Sequence, residues 1–165
     1  MRDSLFFLYK ISAGVYHKPY IMKVRIKRID KTLPLPVYQT TGAAAFDLYA
    51  RTDTIVEPQS LAYIPTNLII ESPQNHVLIL ASRSSSPKKG LLIPHGIGVI
   101  DSDYCGDSDE ILFQVLNFTD APVTIQRGDR IGQGMFVRLS RALSWDEQES
   151  MDKKSRGGFG STGTA

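Results

Sequence analysis

At 165 residues and 42% hydrophobic side chains, the chain has the length and apolar content of one domain with an adequate core, and too few residues for two. A net charge of +2 supplies no basic face for tracking duplex nucleic acid, and no apolar run approaches a membrane span. The single cysteine, Cys105, can form neither an internal disulfide nor a zinc site by itself. It fits a reducing compartment, so a cytoplasmic location is expected, or a nuclear or organellar one in a eukaryotic or viral setting.

Residues 1–21 hold a short apolar patch at Leu5 to Tyr9 that Lys10 interrupts, with no clean small-residue cleavage site after it. They are expected to be a leader or an alternative start, and not a signal peptide. A better domain start lies at Met22, where Met22, Val24 and Ile26 alternate with Lys23, Arg25 and Lys27 in the period of a half-buried strand. Phe46, Leu48 and Ala50 then alternate with Asp47 and Tyr49. Residues 61–70, 77–81, 111–118 and 131–139 read as further strands, punctuated by Pro, Gly, Asn and Asp. Many short strands predict an all-β sandwich or barrel. Helical signals are confined to a turn near residues 84–88 and to residues 144–150, where Ser144 and Glu147 have capping-box spacing.

Several segments carry chemistry. Arg83-Ser84-Ser85-Ser86-Pro87-Lys88-Lys89-Gly90 gathers three hydroxyls, an Arg and two Lys at a turn, which suits a polyphosphate but also an ordinary solvated basic loop. In Gly98-Val99-Ile100-Asp101-Ser102-Asp103-Tyr104-Cys105-Gly106 a strand runs into a carboxylate, with a Tyr three residues later, and reads as a hairpin with a pocket in it. Asp101 could take a proton from water and Tyr104 could lie against a sugar; a plain turn with Asx hydrogen bonds reads as readily. Arg127-Gly128-Asp129-Arg130-Ile131-Gly132-Gln133-Gly134 is a turn into a strand, its R-G-D being turn chemistry. Asp47 stands among small residues that would allow close approach, and is otherwise an outward-facing strand carboxylate. The end, Arg156 to Ala165, sets one cation, one ring and three hydroxyls among glycines: a phosphate grip with Phe159 placed to stack on a flat ligand, or a flexible tail. Phosphate and flat ring together suggest a nucleotide.

In chain order, A-F-D-L-Y-A, S-R-S-S-S-P-K-K-G, G-V-I-D-S-D-Y-C-G, R-G-D-R-I-G-Q and R-G-G-F-G-S-T-G resemble the five motifs of the trimeric dUTP pyrophosphatase (dUTPase) family, over roughly residues 22–164. The resemblance implies a jelly-roll-like distorted β-barrel or sandwich subunit. Residues 22–152 would form the β domain and 153–165 a flexible Gly-rich arm exchanged between the subunits of a homotrimer, with each active site drawing on three chains. The implied reaction is hydrolysis of dUTP to dUMP and pyrophosphate by in-line attack of water on the α-phosphorus, which limits uracil in DNA and supplies dUMP for dTMP synthesis. Carried over by position, Asp101 would orient and deprotonate the water and Arg83 would stabilise developing charge. Ser84, Ser85 and Gln133 would contact phosphates, and Asp47 would hold, through water, a Mg²⁺ chelated by the triphosphate. The backbone around Gly98 and Ile100 would pair with uracil, and Tyr104 would pack under the deoxyribose, leaving no space for a 2′-hydroxyl. Phe159 would cover the base, while Arg156, Gly160, Ser161 and Thr162 would close on the β and γ phosphates.

Three departures from the family pattern stand out. His95 replaces a common Asn, Cys105 replaces the Arg that often follows the Tyr, and the run Asp107-Ser108-Asp109-Glu110 is a few residues longer than the usual connection, lengthening the hairpin or bulging the strand. Two rivals accompany the resemblance: a dCTP deaminase or bifunctional deaminase and pyrophosphatase of the same fold, which needs a Glu-based proton shuttle for which the third motif offers no clear candidate, Glu110 being the only Glu nearby, and a non-catalytic nucleotide sensor. Nucleic acid and membrane are not expected as partners.

Overall fold

The computed structural model describes residues 22–157, so the expected leader and the tail residues 158–165 lie outside the described residues. The strands are β1 (Arg25–Arg28), β2 (Phe46–Tyr49), β3 (Thr54–Val56), β4 (Leu61–Pro65), β5 (Leu68–Glu71), β6 (His76–Ala81), β7 (Leu91–Leu92), β8 (Gly98–Ile100), β9 (Leu112–Asn117), β10 (Val123–Ile125) and β11 (Arg130–Arg138). A 3₁₀ turn at Pro87–Lys89 accompanies them. The domain is all-β and of jelly-roll-like type. All pairings are antiparallel, in a four-stranded sheet ordered β2-β11-β6-β8, a three-stranded sheet β4-β9-β7, and the two-stranded pairs β1-β5 and β10-β3. Between them lie Leu48, Ile64, Leu78, Ile111 and Phe113, at most 1% exposed, each worth about 1.5–3 kcal/mol of burial. Among the described residues no helix is long and apolar enough to cross a membrane.

Several expectations are corrected. The span 61–70 is two strands, because Asn67 takes a left-handed conformation (φ 71°) that an amide side chain tolerates and a continuous strand does not. The two polar residues at this break, Thr66 and Asn67, are buried but satisfied. Thr66 Oγ1 donates to Ile111 O (2.7 Å), while Asn67 Oδ1 accepts from Asp30 N (2.6 Å) and its Nδ2 donates to Asp30 O (2.9 Å). Residues 144–150 form no helix: that stretch has no apolar stripe to pack, and Leu143 and Trp145 beside and within it are almost fully exposed. The expected turn at 84–88 is present, with its 3₁₀ portion shifted to Pro87–Lys89 and Gly90 closing it at φ 80°.

The hairpin expected around Asp101 is absent. β8 pairs with β6 alone, and the next strand, β9, belongs to the other sheet, so residues 101–111 cross between sheets. That crossing is held by Tyr104 N to Asp101 O (3.2 Å), Asp109 N to Gly106 O (3.0 Å) and Gly106 N to Asp109 Oδ2 (2.7 Å). The longer run 107–110 thus turns on itself, and the β4-β9 ladder beyond it is regular from Leu112 to Leu116.

β11 contacts its neighbours through glycine. A Cβ at Gly132 would run into the Phe113 ring, and one at Gly134 would come within 2.7 Å of Phe46 Cζ. The two rings therefore seat on bare backbone on either side of Gln133. Gly132→Ala is expected to cost about 1–3 kcal/mol by overpacking, read as a lower urea midpoint at unchanged m-value.

Candidate active site

The register of the four-stranded sheet puts Asp47 of β2, Gln133 of β11 and Ala81 of β6 in one row. Asp47 is 7% exposed, which excludes a solvated strand carboxylate. Its Oδ1 accepts from Arg83 Nε at 2.9 Å and its Oδ2 from Arg130 Nη1 at 3.2 Å. Arg83 Nη1 also faces Ser85 Oγ (3.4 Å) and Arg130 O (3.5 Å), and Gln133 Nε2 donates to Ser82 O (2.8 Å). Two guanidiniums on one carboxylate leave this cluster with one net positive charge, held in place before any anion arrives.

Arg130 is a residue the sequence analysis passed over. Three residues from Gln133, it should point away from Asp47 by strict alternation. A register shift between Arg130 and Gly132 re-aims it. The R-G-D that precedes it is turn chemistry, as read. Gly128 sits at φ 87° with its N–H on Ala50 O (2.8 Å), Arg127 N donates to Asp53 Oδ1 (2.6 Å), and the Arg127 guanidinium reaches Asp30 Oδ2 (2.6 Å). The Thr32 hydroxyl, then Arg127, hold the Asp30 carboxyl well below the usual carboxylate range.

The third segment lies at the opposite edge of the same sheet. Gly98 is buried and Ile100 half-buried on β8, whose outer edge has no partner strand among the described residues, leaving backbone donors and acceptors there free of a ladder. Asp101 follows directly, exposed, and among the described residues no side chain pairs with its carboxylate. Tyr104 is 41% exposed, and its hydroxyl donates to Glu110 O (3.2 Å). His95, in the turn before β8, is exposed and its ring nitrogen engages Ile97 O.

Asp47 and Asp101 are therefore not brought together within one chain. Three strand spacings separate β2 from β8, roughly 14 Å. Extending the β6-β8 register sets Asp101 opposite Val77, four residues along β6 from the Asp47 row, about 13 Å further. Asp47, Arg83, Ser85, Arg130 and Gln133 make one cluster, with Ser84 exposed at its turn; Gly98, Ile100, Asp101 and Tyr104 lie apart, along and beyond β8. Arg156 is exposed, beyond the last strand. Phe159, Gly160, Ser161 and Thr162 lie outside the described residues.

The dUTPase family model matches residues 31–163. This chain belongs to the dUTPase family. A deoxyuridine 5′-triphosphate nucleotidohydrolase of Dictyoglomus turgidum is 39% identical over 150 residues, spanning 87% of this chain and 99% of that protein. The solved dUTPase of Streptococcus mutans superposes with a TM-score of 0.66 at 30% identity, over 72% of this chain and 98% of that one. A Staphylococcus bacteriophage 80alpha dUTPase variant solved with dUpNHpp shares the fold, with a TM-score of 0.71 at 23% identity over 86% of this chain and 99% of that one.

The donor set agrees with the Mg²⁺ that dUTPases use. Among the described residues no group of three or more His, Cys, Asp or Glu could cage a metal, and the one buried carboxylate of the cluster, Asp47, already has an arginine on each oxygen. Such residues suit an ion that keeps its waters and takes oxygens from substrate phosphates, the usual habit of Mg²⁺.

Proposed function

We propose that this dUTPase hydrolyses dUTP to dUMP and pyrophosphate as a homotrimer whose sites form between chains, with Asp47, Arg83, Ser84, Ser85, Arg130 and Gln133 from one subunit facing Gly98, Ile100, Asp101 and Tyr104 from another. The arm from Arg156 through Phe159, Gly160, Ser161 and Thr162 closes over them. The observation that carries this reading is the separation of Asp47 on β2 from Asp101 at the end of β8, three strands apart in one sheet.

A second copy of this chain is the partner, and the surface supports it. The outer face of β4-β9-β7 presents Leu61, Tyr63, Leu92 and Leu112, 42–61% exposed and with no charge among them. Beyond β11, Leu143, Trp145 and Met151 are 74–100% exposed. Apolar side chains left so bare in one chain are what an exchanged segment buries against a neighbour.

The chemistry follows from the two sets of residues. The free edge of β8 offers backbone N–H and C=O groups to the uracil edge, and a cytosine would leave them opposed or unpaired. Tyr104 packs under the deoxyribose. Asp101 accepts a proton from the water as its oxygen bonds to the α-phosphorus; the bond to the α,β-bridging oxygen breaks and pyrophosphate leaves. Arg83 and Arg130 lie where negative charge moves onto the departing phosphates, fixed in advance by Asp47. Mg²⁺ bound with the triphosphate would neutralise charge on phosphate oxygens, and Asp47 would hold its waters.

The deaminase reading is not favoured: Glu110, the one Glu near the third motif, has both carboxylate oxygens on Arg51. The deciding assay is pyrophosphate release from dUTP, UTP, dCTP and dTTP with Mg²⁺, with ammonia followed alongside. The expected result is release from dUTP, kcat/KM lower by at least about 10²-fold for the others, and no ammonia. Ammonia from dCTP would return the deaminase, and tight binding without release would leave a sensor.

A further inference from the structure

The run 107–110 ends every one of its carboxylates on a partner. Asp107 Oδ1 meets Lys27 Nζ at 2.7 Å, Asp109 Oδ2 accepts from Gly106 N, and Glu110 takes three bonds of 2.8 Å: Arg51 Nε and Asn67 N on Oε1, Arg51 Nη2 on Oε2. These pins differ in strength. The Lys27–Asp107 pair is in water, with side chains 51% and 99% exposed, and contributes little. Arg51 and Glu110 are 29% and 11% exposed, bidentate, and backed by the Asn67 amide. The Glu110 hydrogen bonds outweigh burial and raise the Arg51 pKa further above its ordinary value. The pair ties the loop to the end of β2 and the start of β5, both parts of the core.

Glu110 also holds Tyr104, whose hydroxyl donates to the Glu110 carbonyl at 3.2 Å. The carboxylate that fixes Glu110 to the barrel thus fixes the acceptor that fixes the ring. Excluding one hydroxyl from a sugar site is a matter of space, and a ring free to shift by about 1 Å no longer excludes it.

We infer that Arg51 and Glu110 form a positioning brace which sets the Tyr104 ring and thereby the enzyme's preference for deoxyribose over ribose triphosphates. This rests on the reading above, in which Tyr104 faces the sugar. Neither braced residue touches substrate. Their effect is on selectivity: with the brace loosened, the dUTP site weakens and UTP gains entry, while the water, Asp101 and the phosphate cluster are untouched.

The test is steady-state pyrophosphate release from dUTP and UTP by the full chain, as wild type, Glu110→Gln, Tyr104→Phe and the double variant. Glu110→Gln is expected to lower the dUTP-to-UTP ratio of kcat/KM by about tenfold, through a raised KM for dUTP and new turnover of UTP, with kcat on dUTP within about twofold. Tyr104→Phe, which removes only the tie to Glu110, is expected to lower the ratio similarly, and the double variant no further, because both cut one chain of contacts. An unchanged ratio in Tyr104→Phe, or in a folded Glu110→Gln, overturns the brace while the dUTPase reading stands. If Glu110→Gln fails to fold, Tyr104→Phe alone decides. A wild type that releases no pyrophosphate from dUTP overturns both.

Discussion

Asp101→Asn should lower kcat on dUTP by about 10²- to 10⁴-fold, the range a positioned general base supplies, while the protein still binds dUTP with Mg²⁺. The carboxylate is exposed and, among the described residues, unpaired, so exchanging it for an amide breaks no contact of the fold. Thermal stability should stay within about 0.5 kcal/mol of wild type. The amide has nearly the same shape and can still hold a water, but it cannot take the water's proton. Calorimetric binding of a non-cleavable dUTP analogue beside the rate measurement separates the two roles: turnover near wild type would remove Asp101 from the chemistry, and lost binding would make it a ligand contact.

The sequence was most legible where local pattern and tertiary demand agree. The alternation in Phe46, Leu48 and Ala50, and the apolar period of residues 131–139, correspond to real strands of the central sheet, because one face of each packs against the core. Reading the stretch 61–70 as one strand runs across Pro65-Thr66-Asn67, turn-forming residues that do mark its interruption; the break falls there, with Asn67 left-handed. Residues 144–150 carried a capping signal without an apolar stripe, and a cap cannot hold a helix that buries nothing. The supposed hairpin after Asp101 failed for a topological reason. Local turn chemistry around Tyr104 is real, yet the strand that follows pairs in the other sheet, and pairing partners distant in sequence leave no trace in a ten-residue window.

The site was legible by residue type and illegible by arrangement. Motif order named Asp47, Arg83, Gln133, Asp101 and Tyr104, but Arg130 needed a bulge that alternation cannot forecast. Nor could motif order show that one chain holds Asp47 and Asp101 on strands at opposite edges of one sheet. The role of Glu110 was equally hidden: in sequence it was only the one Glu near the third motif, and the placement of Arg51, 59 positions earlier in the chain, shows it to be an ion-pair partner.

Asp47→Ala is expected to lower kcat/KM on dUTP by about 10²- to 10³-fold, the effect of losing one preorganised electrostatic contact. Arg83 and Arg130 would lose their common anchor and spread, as like charges 3 Å-class neighbours of the same carboxylate must once it is gone. The stability cost is smaller, about 1–3 kcal/mol, because both guanidiniums are already part-solvated, at 24% and 45%, and can rehydrate. The informative step is to mix this variant with Asp101→Asn. If the two carboxylates of one site came from one chain, each mixed assembly would hold only defective sites, and activity would stay at the sum of the parts. With sites formed between chains, denaturing the two variants together and refolding them one to one pairs an intact Asp47 with an intact Asp101 in half times half of the sites. About a quarter of wild-type activity should then return. Recovery near that value, in material that sizes like the wild type, is the outcome that the distance between β2 and β8 demands; no recovery would mean that the chain bends its own loop across the sheet to complete the site.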